Sequence, residues 1–296
     1  MPRREISSRA DELRAARIPF VHVRVVLAER PTSAKPGDEA IVLGDGTIEG
    51  FVGGTCAEST VRNQSLALFD SGESLVLRIT PEPEPGQPGK LVVHNPCLSG
   101  GTVELFLEPA VPSPLVLVAG TAPIARALLS IGECLSYDVR AFGDGIPDDA
   151  AAVVVASHGR DEEAVLTSAL GAGVGYVGLV ASRKRGEAVV ASLDAAPESK
   201  ARVHTPAGLD IGARTPEEVA LSILAEIVAS RPRPSGRQVS SDSAASVDTA
   251  IDPVCGMSVA IVDASLHLDH DGTRVWFCGS GCLRAFAADP SAYIRS

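Results

Sequence analysis

Short apolar runs alternating with amphipathic stretches across residues 114–231 constrain this chain more than any other feature. PLVLVAG (114–120) reads as a buried strand running into TAPIARALLSIG, a helix predicted to stop at Gly132. YDVRAF (137–142), AAVVVAS (151–157) and YVGLVAS (176–182) read as further strands, with helices at 161–170 and 184–193. Parallel neighbours need a crossover long enough to hold a helix, so this alternation predicts a Rossmann-like, doubly wound α/β sheet. Thr215-Pro216-Glu217-Glu218 opens a last helix with an N-cap Thr, Pro at its first position and Glu at its third. Val219, Ile223, Leu224, Ile227 and Val228 give that helix an apolar stripe.

Residues 1–110 follow a different pattern, a mostly β domain with one helix. FVHVRVVLAE (20–29) alternates, and EAIVLGDGTIEGFV (39–52) places two strands around a Gly-Asp-Gly turn. SLVLRIT (74–80), KLVVHN (90–95) and TVELFLEP (102–109) are the later strands. AESTVRNQSLALFDSG (57–72) reads as a helix ending at Gly72, and PEPEPGQPG (81–89) as an exposed loop. Beyond residue 231, the Ser-, Pro- and Arg-rich stretch 232–250 is a linker. It leads to a small Cys-rich α+β module at 251–296, too short to build a generous core unaided.

Charge narrows the function classes. Lys and Arg total 26 against 37 Asp and Glu, a net charge of −11, so a general basic face for nucleic acid is excluded. SRKR (182–185) and RPRP (231–234) are too short to reverse this. The start lacks a signal-like apolar core, and no stretch approaches a membrane span, so a cytoplasmic location is expected. The six cysteines are then reduced, and metal binding or thiol chemistry is expected of them rather than disulfides.

Four constellations could carry chemistry. Gly53-Gly54-Thr55-Cys56-Ala57-Glu58 sets a thiol at a helix N-terminus, where the partial positive charge lowers a thiol pKa and attracts anions. Asn95-Pro96-Cys97-Leu98-Ser99-Gly100-Gly101 places a second Cys beside a glycine pair, and two such turns in one small domain make an anion-lined pocket. Gly120-Thr121-Ala122-Pro123-Ile124-Ala125 occupies the place of the dinucleotide fingerprint, with Ala122 where the second glycine would admit a pyrophosphate. In the C-terminal module Cys255, Cys278 and Cys282 form a thiol set for a soft metal such as zinc or copper, with His267 or His270 as a fourth ligand. Cys134, at a helix end, reads as packing. His158, Asp210 and Arg214 sit in loops where open α/β sheets bind ligands, although loop residues of this kind are more often structural.

Over about residues 15–230 the chain resembles the XdhC/CoxI family, accessory proteins of xanthine dehydrogenase and carbon monoxide dehydrogenase. GGTCAES is similar to the family's Gly-Gly-Cys-Val-Glu element with Thr55 inserted. PCLSGGTVELFLEP is similar to its Cys-Gly-Gly element with Leu98 and Ser99 inserted, and GLDIGARTPEEVALSILAEIVA (208–229) closely resembles the end of its Rossmann-like domain. The form of the two Cys elements is most like the carbon monoxide dehydrogenase subgroup. Residues 251–294, with DPVCGM, WFCGSGC and a later Asp-Pro and Tyr, resemble a YHS (TRASH-like) metal-binding domain.

The resemblance implies a molybdenum cofactor of the molybdopterin type, protected and delivered to an apo molybdenum hydroxylase. A sulfurase and a second copy of the chain are further candidate partners. Gly53, Gly54, Cys56, Glu58, Cys97, Gly100, Gly101, Gly120, Asp210 and Arg214 are the expected cofactor contacts. A maturation chaperone without turnover is therefore expected. A nucleotide-dependent oxidoreductase using the Rossmann-like half and a metal sensor or trafficking protein remain the alternatives.

Overall fold

Alternating burial along β1 (Phe20–Ala28) sets the N-terminal sheet. Val21, Val23 and Val25 are buried on one face, with Phe20 buried on the other. A computed structural model describes residues 3–96, 101–231 and 248–293. They form two compact units, one combining the residues up to Pro112 with those of the C-terminal segment, the other spanning the residues from Ser113.

In the first unit, helix α1 (Arg3–Ala15) precedes β1. Then come β2 (Glu39–Leu43), β3 (Ile48–Gly50), α2 (Thr55–Ser71), β4 (Leu75–Thr80), β5 (Leu91–His94) and β6 (Val103–Ala110). The six strands form one sheet in the order β3-β2-β1-β6-β4-β5, antiparallel except for the β4–β5 pair. One face packs against Val61 and Leu68 of α2, together with Leu77 and Leu105. On the opposite face Phe20 and Ile41 meet Ile6, Ala10 and Leu13 of α1. Sequence reading anticipates only one helix here. α1 escapes it because its apolar stripe is three residues wide in an otherwise charged segment.

The second unit holds β7 (Leu115–Ala119), α3 (Pro123–Cys134), β8 (Asp138–Ala141), β9 (Ala150–Val155), α4 (Glu162–Gly171) and β10 (Tyr176–Leu179). α5 (Arg183–Ser192), α6 (Pro197–Lys200), β11 (Val203–His204) and α7 (Pro216–Ser230) complete it. Its strands are all parallel in the order β11-β10-β9-β7-β8, so the direction of winding reverses beside β7. α3 and α7 cover one face through Leu128, Ile223, Leu224 and Ile227, and α4 covers the other through Leu166 and Ala169. The expected α/β class, with its mostly β N-terminal part and Rossmann-like sheet, is the observed one.

The capping box forms as expected: Glu218 N–H donates to Thr215 Oγ1 at 3.2 Å, and Thr215 N–H to the Glu218 carboxylate at 3.1 Å. Three local expectations change. α3 runs past Gly132, which is a glycine because a Cβ there would stand 2.0 Å from Val139 Cγ2. Val228 lies outside the buried stripe of α7, 54% exposed. Cys134, the last residue of α3, is exposed rather than packed.

The C-terminal segment adds β12 (Thr249–Ile251) and β13 (Ser258–Ala260) as one antiparallel pair, β14 (Leu266–His270) and β15 (Thr273–Phe277) as another, then α8 (Ser280–Ala288). It is joined to α2 by Asn63. That side chain donates to Ser258 O at 2.7 Å and accepts from Ala260 N–H at 2.8 Å, so one carboxamide pairs with the β13 edge as a peptide group would. No helix among the described residues is long and apolar enough to cross a membrane.

Candidate functional site

The turn at Gly53-Gly54 delivers Cys56 as the second residue of α2. Gly54 is the N-cap and contributes no side-chain cap, so the first backbone N–H groups of the helix keep their polarity toward whatever lies in front. In front is a pocket of about 290 Å³ with walls that include Thr32, Ser33, Cys56, Thr80, Asn95 and Gly101.

The two Cys/Gly turns singled out in the sequence are therefore brought together in part. Asn95 is buried, and its Nδ2 donates to the Cys56 carbonyl at 3.1 Å and lies 3.4 Å from Thr60 Oγ1, tying the second loop to the first turn of α2. Gly101 packs so closely on the loop after β1 that a Cβ would stand 1.8 Å from Glu29 O. Cys97 and Gly100 lie outside the described residues. Gly53 and Glu58 adjoin the pocket without lining it. Burial raises the Glu58 carboxyl pKa, with nearby Arg62 opposing the shift.

Asn95, Thr32 and Ser33 are the residues that sequence reasoning did not assign. Asn95 stood inside the quoted motif, and an amide beside a Pro-Cys turn was the available signal. The loop carrying Thr32 and Ser33 has no signature of its own.

In the second unit a cleft of about 630 Å³ opens at the carboxyl ends of β9 and β10, with His158, Arg183, Arg185 and Asp210 in its walls. Gly120 and Arg214 are not among its lining residues. A Cβ on Gly120 would fall 2.2 Å from Ala156 O, so strand packing alone requires a glycine there. Beside the cleft Arg185 grips Glu162 through two hydrogen bonds, of 2.6 and 3.1 Å, while Gly159 N–H donates to the same carboxylate at 2.8 Å. Burial alone would raise the Glu162 pKa. Arg185 and Gly159 outweigh it and hold the carboxylate below its ordinary range.

The three cysteines of the C-terminal segment gather with Asp252, their ligand atoms all within 4.8 Å of one another. Cys255 Sγ and Cys278 Sγ lie 3.4 Å apart, and Cys278 Sγ and Cys282 Sγ 3.7 Å. Tetrahedral zinc with Zn–S bonds of about 2.3 Å implies S···S separations of roughly 3.8 Å, close to these and far from a disulfide. Asp252 is fully buried, and its two oxygens accept from Val254 N–H at 2.9 Å and Cys278 N–H at 2.8 Å, which fixes both cysteine-bearing turns.

Crowding disfavours ionisation of these thiols. A hydrogen bond with Cys56, then burial and Cys255, drive the Cys278 pKa far upward, and burial followed by Cys255 pushes Cys282 up to about 12. A cation among them reverses that preference. Neither His267 nor His270 joins the group. His267 contacts Ser265 O and the Trp276 ring, and His270 meets the edge of Phe286.

Comparison with known proteins adds family information. Residues 13–80 match the model of the XdhC and CoxI family, and residues 116–227 that of the XdhC Rossmann domain. Escherichia coli YqeB, described as uncharacterized, is 25% identical over 256 residues, covering 75% of this chain and 46% of that protein. A Bacillus subtilis protein described as a probable xanthine dehydrogenase component is 32% identical over 87 residues, 29% of this chain and 25% of its own length. The chain thus spans less than half the length of these curated relatives. A solved Bacillus halodurans structure described as a xanthine dehydrogenase is 16% identical, covers 77% of this chain and 97% of its own, and has a TM-score of 0.36.

Proposed function

We propose, on the premise that residues 13–80 and 116–227 place this chain in the XdhC/CoxI family, that it is an accessory factor for maturation of a molybdenum hydroxylase. In this reading it holds a molybdopterin-type cofactor as cargo in the Cys56 pocket and passes it to the apo-enzyme, of the xanthine dehydrogenase or carbon monoxide dehydrogenase type. The observation that carries it is the meeting of the α2 N-terminus, Cys56, Asn95 and Gly101 around one cavity.

The donor set suits such cargo. A thiol matches a soft, sulfur-rich metal centre, and the backbone N–H groups of a helix N-terminus match a phosphate. Asn95 holds the Cys56 carbonyl and so keeps the turn from shifting when cargo enters or leaves. The molybdenum centre supplies the redox chemistry only after transfer, so this chain needs to bind and release it without an acid–base pair of its own. A sulfurase that completes the terminal ligand is a compatible second partner. Cys255, Cys278 and Cys282 are candidate ligands for a soft metal beside this pocket.

A nucleotide-dependent oxidoreductase has less behind it. Ile124 is the one residue of the Gly120–Ala125 turn that lines the cleft of the second unit, and Gly120, where a pyrophosphate would approach, does not. Co-expression with a hydroxylase, followed by metal and pterin analysis of the purified chain, tests the reading. Wild type should carry molybdenum and pterin, and Cys56→Ala should lose at least ten-fold. Wild type that never carries either, or full retention by both Cys56→Ala and Cys97→Ala, sinks it.

A further inference from the structure

Cys56 and Cys278 belong to segments 222 residues apart in sequence, yet Cys56 packs in one cluster with Cys255, Cys278 and Cys282. The approach is close at the backbone as well. A Cβ on Gly279 would stand 3.0 Å from Thr55 Oγ1 and 3.5 Å from Cys56 Sγ, so Gly279 lies directly against the first turn of α2. We propose that Cys56 is the fourth thiolate of a single soft-metal site, assembled by the first turn of α2 together with Cys255, Cys278 and Cys282 of the C-terminal segment.

Three observations support four thiolates over the other possible sets. Asp252 stands in the 4.8 Å group of the three thiols and Cys56 does not, but each Asp252 oxygen already accepts from a backbone N–H, so in this proposal Asp252 positions the turns and Cys56 closes onto the metal. The two module histidines face Ser265, Trp276 and Phe286. Cys56 is the second residue of α2 and Cys282 the third of α8, so two helix N-termini point their positive ends at a cluster that carries surplus negative charge once metallated. Zinc suits this set, because it takes four thiolates tetrahedrally with no geometric preference of its own.

The same thiol lines the 290 Å³ pocket. Metal in the cluster and cargo in the pocket therefore compete for this one sulfur, and metal binding fastens the C-terminal segment onto α2. The site itself does not rest on the molybdenum reading, and its test contains no pterin.

The reduced full chain is titrated with Co²⁺ as a spectroscopic stand-in for zinc, since sulfur-to-cobalt charge-transfer absorption grows with the number of thiolates. One cobalt should bind per chain. Cys56→Ala should lower the charge-transfer absorption by about a quarter, one thiolate of four, and weaken binding at least ten-fold. Cys134→Ala, which removes the exposed thiol of α3, should change neither.

A second measurement avoids dependence on the folding of a variant. Zinc should protect Cys56 of the wild-type chain from iodoacetamide as strongly as it protects Cys255, read by peptide mass spectrometry. Absence of stoichiometric metal binding overturns the proposal. So does full wild-type absorption in Cys56→Ala, or alkylation of Cys56 at an unchanged rate while Cys255 is protected.

Discussion

Glu226 shows how much of the second unit hangs on one side chain. It lies on α7 and accepts from Tyr176 Oη at 2.6 Å and Gly208 N–H at 2.7 Å, with His204 Nδ1 at 3.1 Å. Burial by itself would raise its pKa, but these partners outweigh burial and hold it below the ordinary carboxylate range. The Tyr176 hydroxyl moves the other way, pushed up first by burial and then by the neighbouring carboxylate. A carboxyl with a depressed folded-state pKa adds stability that is complete above its unfolded pKa and is lost as pH falls through the folded value. Glu226→Gln should therefore cost about 1–3 kcal/mol at neutral pH, the usual price of breaking hydrogen bonds to a partly buried charge. Urea denaturation of both chains between pH 7 and pH 3 checks this. The difference should shrink toward acid, and a gap that stays constant or widens contradicts the assignment.

Between elements, the contact that matters most for the candidate sites is α2 against β13. Asn63 satisfies a carbonyl and an N–H of the β13 edge at once, so Asn63→Ala leaves both without their partner. A loss of about 1–3 kcal/mol is expected, felt as looser attachment of the C-terminal segment. Limited proteolysis should cut Asn63→Ala between residues 248 and 293 faster than wild type while leaving the parallel-sheet unit equally resistant. Unchanged protection of that segment would remove Asn63 from the attachment. This pairing also marks where sequence reading stopped. The β strands of residues 20–110, the βα alternation of 114–231 and the capping box at Thr215 were legible because each is a local pattern of period, turn or cap. The two Cys/Gly turns were legible as candidates for the same reason, and of the second turn Asn95 reaches the Cys56 carbonyl. Asn63 was silent, since a polar residue on a helix carries no mark of the strand it will meet across nearly two hundred residues. The gathering of Cys56 with the C-terminal cysteines was hidden likewise. Each motif read as a site by itself, and only tertiary contact joins them.

At the scale of the whole chain, the shared thiol cluster makes metal a fold-level ligand. A ligand that binds only the native arrangement stabilises it by RT ln(1 + [L]/Kd), about 2.7 kcal/mol at a hundredfold excess over Kd. With all ligands in the C-terminal segment, that stabilisation would stay local to residues 252–288. With Cys56 among them, it must extend to the start of α2, because opening either partner breaks the site. Amide hydrogen exchange of the reduced chain with and without zinc separates the cases. Exchange should slow together in the first turn of α2, in the Asp252–Met257 turn and at the start of α8. It should be unchanged in β7 to β11, whose cores share no residue with the cluster. Slowing confined to the C-terminal turns, with α2 unmoved, would return the metal to three cysteines and leave Cys56 to the pocket alone.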